Sequence, residues 1–366
     1  MENIKGKVQN SLNTVAETGN IIVSKTLALT KSNIGKKIFD NIIWVVVLVG
    51  VLILIYFSYL LTATFDIDNT INLMKQEYNI TKVNVSSPSA SGEEEKFDEI
   101  KLDKHNLCDV FICSSAKSYL SGRQIFDYVS KQVFFETVKQ GARYVELDLF
   151  ENSQGNIVVS NGIFEGNWRL TLNEIYFEDF CRDIPMRVFN KQYADNFNDP
   201  FIIFLGLHLK KDKMNLVAKI IEQFMGKHLI SSKYSVKGGN NVLDLKLEEL
   251  LQKIIIVTDG KIANTDLLEY VHLRVGDKVR KLSISELRVQ NKDELRDFNK
   301  NHITIVTPDP NINSVNYNSE LALDCGCQII SMNFQSVGDQ MKIYLSKFYE
   351  KSFILKPYEF TKYSDI

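Results

Sequence analysis

A chain of 366 residues, 45% hydrophobic and 24% charged, can bury a full core in one large domain and still carry extra segments. Its net charge of -2 leaves no electrostatic footprint for nucleic acid, so that partner class is excluded. Five cysteines (Cys108, Cys113, Cys181, Cys325, Cys327) form neither a metal-spaced pair of pairs nor an even disulfide set, and free buried thiols are expected.

Residues 1–41 are polar with scattered apolar positions, a pattern that suits an N-terminal tail or a surface amphipathic helix. From Ile42 to Phe65 there is no charged residue, and the run exceeds the roughly 20 apolar residues that span a bilayer, so residues 42–65 predict one transmembrane helix. It starts too far into the chain for a secretory signal and lacks a small-residue cleavage site. Trp44, Tyr56 and Tyr59 suit the membrane interfaces. Lys25, Lys31, Lys36 and Lys37 precede the span and Asp66 and Asp68 follow it. That bias predicts a single-pass, type II-like protein with a cytoplasmic N-terminus. Asn79 and Asn84 are glycosylation acceptors that agree with this topology, while the unpatterned cysteines argue against an oxidising compartment. Residues 66–104 read as a juxtamembrane segment, with a short helix from Asp66 to Asn84. The acidic, Ser-rich stretch from Val85 to Lys96 reads as a flexible linker that lets the following domain move relative to the bilayer.

Beyond Leu107 short apolar runs alternate with helical patterns. Strands are predicted at Val110–Cys113, Tyr144–Phe150, Ile157–Ser160, Phe201–His208, Lys253–Thr258, Ile303–Val306 and Ile329–Asn333. Helices are predicted at Gly122–Gln140, Asp212–His228 and Val337–Phe348. Alternation over this length implies an α/β fold, with either an open parallel sheet or a closed barrel. In Tyr144–Phe150 strict alternation puts Val145, Leu147 and Leu149 on one face and Glu146 and Asp148 on the other. Two carboxylates two residues apart on one face repel unless a cation lies between them, or unless the strand is a solvated edge.

Four blocks resemble the X and Y catalytic regions of eukaryotic-type phosphoinositide-specific phospholipase C. Leu107–Leu120 (LCDVFICSSAKSYL) is similar to its opening strand and loop, and Gly141–Leu149 to its Gly-Cys-Arg-x-Val-Glu-Leu-Asp strand. Pro200–His208 is similar to its third strand, and Gly326–Ser336 with the run to Pro357 to its Y region. The resemblance implies a distorted TIM (β/α)8 barrel with an X-like half at 105–262 and a Y-like half at 263–366, preceded by the transmembrane helix. It also implies that the family's pleckstrin-homology, EF-hand and C2 modules have no counterpart here, and that Ala263–Leu282 is too short for its usual X to Y linker.

In that family, as the resemblance implies, two histidines handle protons and phosphate charge while calcium, held by an Asn and three carboxylates, activates the inositol hydroxyl. The two histidine positions fall on Ala116 and Asn161. The metal positions fall on Lys117, Glu146, Asp148 and Gly206, so the metal set is not intact. Ser283 aligns with a headgroup-binding serine, and Ile305 lies where an arginine is expected. Loss of both histidines removes steps typically worth about 100-fold or more each. The Lys117 ammonium is expected in the vacated metal position, satisfying Glu146 and Asp148. The resulting reading is a membrane-anchored pseudoenzyme that binds membrane lipid, a phosphoinositide or a protein, with no cofactor. Its rival is an active calcium-dependent phosphodiesterase that cleaves phosphoinositides with a rearranged site. A third alternative is a barrel kept for stability alone.

Overall fold

The computed structural model describes residues 24, 33–64, 67–86, 100–163 and 168–362. The residues 1–23 and most of the expected linker, 87–99, lie outside that description. Helix α1, Asn33–Thr64, contains a window, Asn41–Ser58, long and apolar enough to cross a membrane, with its large side chains exposed. It forms a unit separate from residues 64–366.

In the second unit eight parallel strands follow one another around a barrel. They are β1 Val110–Ser115, β2 Tyr144–Glu151, β3 Phe201–His208, β4 Ile254–Thr258, β5 Leu273–Arg274, β6 Val279–Ser283, β7 Ile303–Thr307 and β8 Ile329–Met332. β8 returns to β1 with Ile112 opposite Ile329. β5 and β6 meet through a single bridge, Val275 to Val279, where the barrel is nearly closed. A last short strand, Phe353–Leu355, runs antiparallel beside β1.

Strand alternation sorts the side chains into two layers. Ile112, Tyr144, Ile202, Phe204, Ile255 and Ile305 fill the interior. Val145, Leu147 and Leu149 face outward against helices α4, Phe177–Val188, and α5, Lys211–Met225. The β2 carboxylates therefore point into the barrel, above the apolar plug and at the carboxyl ends of the strands. The solvated-edge reading fails, because β2 is buried between β1 and β3.

Three points differ from the sequence reading. Only Lys131–Lys139, α3, of the Gly122–Gln140 segment is helical. The Asp127 carboxylate instead takes hydrogen bonds from the Ser121 hydroxyl and from the Arg123 and Tyr128 N–H groups, which holds the preceding stretch as a loop. Helix α4 was not among the predicted helices; it runs through Pro185, and Phe177, Phe180, Cys181, Ile184 and Val188 carry helical spacing and are all buried. The third concerns α2, Ile67–Ser86, which begins only three residues after α1 ends. Met74 is 1% exposed within the barrel's outer core, Ile67, Ile71 and Tyr78 pack around it, and Glu77 pairs with Lys342 at 3.2 Å. Ile100 also packs on the barrel. The acidic stretch thus connects two segments of the same body and is not the tether between that body and α1. Asn79 is exposed on α2, and Asn84 falls in the same helix. All five cysteines are buried and unpaired, as the composition suggested.

Candidate functional site

At the carboxyl ends of the strands a cleft of about 490 Å³ opens between the loops that follow β1, β2 and β7. Ala116, Lys117, Glu146 and Asn161 all line it, so four positions from three separate stretches of sequence converge in space. Lys117 adopts a left-handed backbone, with φ of 43°, a conformation that costs a residue with a Cβ. The turn is held from both ends of the residue. Its N–H donates to Glu146 Oε2 at 3.2 Å. Its ammonium donates to Asp148 Oδ2 at 2.5 Å and to Asn161 Oδ1 at 2.8 Å. The Asn161 amide group in turn donates to the Gln124 carbonyl.

Asp148 is the hub. The Tyr119 hydroxyl donates to its Oδ2 at 2.6 Å, and His208 Nε2 lies 3.5 Å from its Oδ1. Burial works against the Asp148 charge, yet the Lys117 ammonium and the His208 contact outweigh it and hold the carboxyl far below its ordinary range. Burial likewise opposes the Lys117 charge, and Asp148 overcomes it, so that the ammonium stays protonated above the usual lysine value. Gly206, opposite Asp148 in the β2–β3 register, makes this possible. A Cβ there would lie 2.0 Å from Asp148 Oδ1 and 3.6 Å from His208 Nε2. The missing side chain is the space into which the carboxylate and the imidazole come together.

The expectation that Lys117 alone satisfies both acids is corrected in one respect. The cation facing Glu146 is Lys281 on β6, with its Nζ 3.4 Å from Oε1 and 3.7 Å from the Phe204 ring centroid. The Tyr144 hydroxyl donates to the same oxygen at 3.0 Å. Sequence reading missed Lys281, though the signal was there: in Val279–Ser283 it shares a face with Ser283. Ser283 itself caps helix α6, Ile284–Arg288, accepting from the Glu286 N–H at 3.3 Å. Ile305 is fully buried in the interior opposite Lys281. His208 stacks on Phe150, 4.4 Å between centroids, and touches Asp148 from the side away from Lys117. It is the imidazole that sequence reading placed as a strand-end residue.

Calcium needs six to eight oxygen ligands. Here an ammonium holds the position between Asp148 and Asn161, Gly206 offers no carboxylate, and Glu146 is engaged by a second ammonium. The residues present do not fit that ion. They form an internally neutralised polar floor instead.

The family description "Phosphatidylinositol-specific phospholipase C, X domain" matches residues 104–259, and "Y domain" matches residues 271–359. The chain belongs to the phosphatidylinositol-specific phospholipase C family. Among curated relatives it is 28% identical over 161 residues to human 1-phosphatidylinositol 4,5-bisphosphate phosphodiesterase delta-4, a match covering 44% of this chain and 19% of that protein. It is 30% identical over 119 residues to the 1-phosphatidylinositol 4,5-bisphosphate phosphodiesterase of Dictyostelium discoideum, covering 32% and 14% of the two chains. The first of these matches thus spans about a fifth of the relative's length. Among solved structures, S. officinalis PLC21 superposes with a TM-score of 0.60 at 20% identity, over 71% of this chain and 38% of that one, and shares the barrel fold.

Proposed function

We propose that this chain is a membrane-anchored phospholipase C-like protein whose barrel binds a lipid headgroup or a protein partner without hydrolysing it. The observation that carries the reading is the Lys117 ammonium, held between Asp148 and Asn161 where the family resemblance implies calcium. Beside it Ala116 and Asn161 stand in the two histidine positions, and neither methyl nor carboxamide can move a proton near neutral pH. Lipid contact is supported by the rim of the cleft. Phe126, Trp168 and Ile312 are 55%, 67% and 57% exposed, on loops that hydrogen-bond to one another through Phe126 N to Leu170 O and Gln124 N to Ile312 O. The apolar window of α1 supports anchoring, and the lysines before it support a cytoplasmic N-terminus. A glycan on Asn79 would place the barrel across the membrane.

A second reading, an active phosphodiesterase, is favoured by the contact of His208 with Asp148. One assay separates the two: release of water-soluble inositol phosphate from labelled phosphoinositide by the full chain, with and without calcium. No release under either condition is expected. Release that vanishes in His208→Ala would overturn the binding-module reading.

A further inference from the structure

The cleft's charges and its hydrogen-bonding groups point in the same direction. Among the described residues, the charged side chains lining it are Lys117, Lys281, Glu146 and Asp309. Both ammoniums are committed, Lys117 to Asp148 at 2.5 Å and Lys281 to Glu146 at 3.4 Å. Asp309 stays ionised, because the Ser285 hydroxyl and N–H hold its carboxyl below the ordinary range. Counting Asp148 behind Lys117, Asp259 beside Lys281 and Arg288 beside Asp309, three cationic groups face four carboxyl groups. A ligand bearing several phosphate groups would enter with four or more negative charges and meet no excess of positive charge, which disfavours it.

The rest of the lining suits a different chemistry. Gln124, Asn161, Asn311 and Asn333 contribute carboxamides and Thr307 a hydroxyl. Asn161 already bonds Lys117 and the Gln124 carbonyl, and Asn333 bonds Gln124 and the Val315 carbonyl, so ligand contact falls to the Gln124 carboxamide oxygen, the Asn311 amide nitrogen and the Thr307 hydroxyl, a mixture of acceptor and donors that suits hydroxyl groups, whereas a phosphate presents acceptors only. Gln124 bonds Asn333 Oδ1 at 3.4 Å and Ser314 at 3.3 Å, so these groups are held in place across the cleft. Pro308 and Ile312 supply an apolar wall for a saturated ring.

Resting on the binding-module reading above, we infer that the cleft selects an uncharged, hydroxyl-rich ring, an unphosphorylated cyclitol or hexose headgroup, and discriminates against polyphosphorylated ones. Glu146 and Asp309 are then the specificity determinants: one neutralises Lys281 and the other adds negative charge at the rim. The topology implied by the lysine bias agrees, since a barrel across the membrane from the cytoplasm would not face cytosolic-leaflet phosphoinositides.

The test is calorimetric titration of the full chain in detergent micelles with four probes: short-chain phosphatidylinositol, short-chain phosphatidylinositol 4,5-bisphosphate, a short-chain glucosyl diacylglycerol and free myo-inositol. At least one unphosphorylated ring should bind about tenfold or more tighter than the bisphosphate. Binding of myo-inositol comparable to the lipids assigns recognition to the ring, and binding of the lipids alone assigns it to a membrane source; either supports the inference. Equal or tighter binding of the bisphosphate overturns it while leaving the binding-module reading intact, and heat from none of the probes overturns headgroup binding altogether. Glu146→Gln frees the Lys281 ammonium and should shift the preference about tenfold towards the bisphosphate. Asp309→Asn, at the exposed rim, should shift it the same way by a smaller factor and remains informative if the first variant fails to fold. A preference unmoved by Asp309→Asn and by a folded Glu146→Gln would overturn the electrostatic account.

Discussion

Asp148 receives three groups on its two oxygens, beside one vacated volume. Lys117, Tyr119 and His208 compensate its burial, and Gly206 gives it room. Lys117→Ala leaves a buried carboxylate short of its cation and should cost about 2–4 kcal/mol, read as a lower Tm or urea midpoint. Gly206→Ala should cost about 1–3 kcal/mol by driving a methyl into Asp148, since every neighbour that could yield is already pinned. The pH dependence separates two groups. Asp148 has a depressed folded pKa, so its contribution is complete at neutral pH and is lost only below about pH 4. His272 accepts the Ile256 N–H at 3.1 Å, and burial pushes its pKa from 6.5 down to about 4. The unfolded chain then binds the extra proton between those values, so stability is full above pH 6.5 and falls as pH drops towards 4. In His272→Asn the melting temperature should lose much of its slope across that window.

At the scale of elements the decisive piece is α2. It follows α1 closely in the chain but belongs to the barrel, through Met74, Tyr78 and the Glu77–Lys342 pair. Met74→Ala should destabilise the barrel by about 2–4 kcal/mol, as for other large-to-small core changes. A chain beginning at Ile67 should melt at a higher temperature than one beginning at Ile100, and equal values would show that α2 only leans on its neighbours. Proteolytic cleavage between residues 87 and 99 should leave the barrel in the membrane fraction, held by the α2 seat. The α4 helix teaches a similar lesson. It carries Pro185 in its interior, which is tolerated only where tertiary packing, here of Phe177, Phe180, Cys181, Ile184 and Val188, compensates for the lost bond.

For the whole molecule the barrel frame persists, while an ammonium stands where the resemblance implies calcium. Added calcium should leave the melting temperature of the full chain unchanged, since two ammoniums, Lys117 and Lys281, already neutralise the acids. Six of the eight barrel strands, the apolar anchor candidate and the convergence of Ala116, Lys117, Glu146 and Asn161 were legible in the chain, because period-two alternation and an ordered set of family blocks are local signals, whereas the short β5 and β6 were not read as strands. What folding alone decided was partnership. That Lys281, more than 130 residues away, answers Glu146, that His208 reaches Asp148 over a glycine, and that α2 is part of the barrel depend on closure of the sheet. Closure brings residues distant in sequence within a few ångströms, and no periodicity along a single strand records which cation it will face.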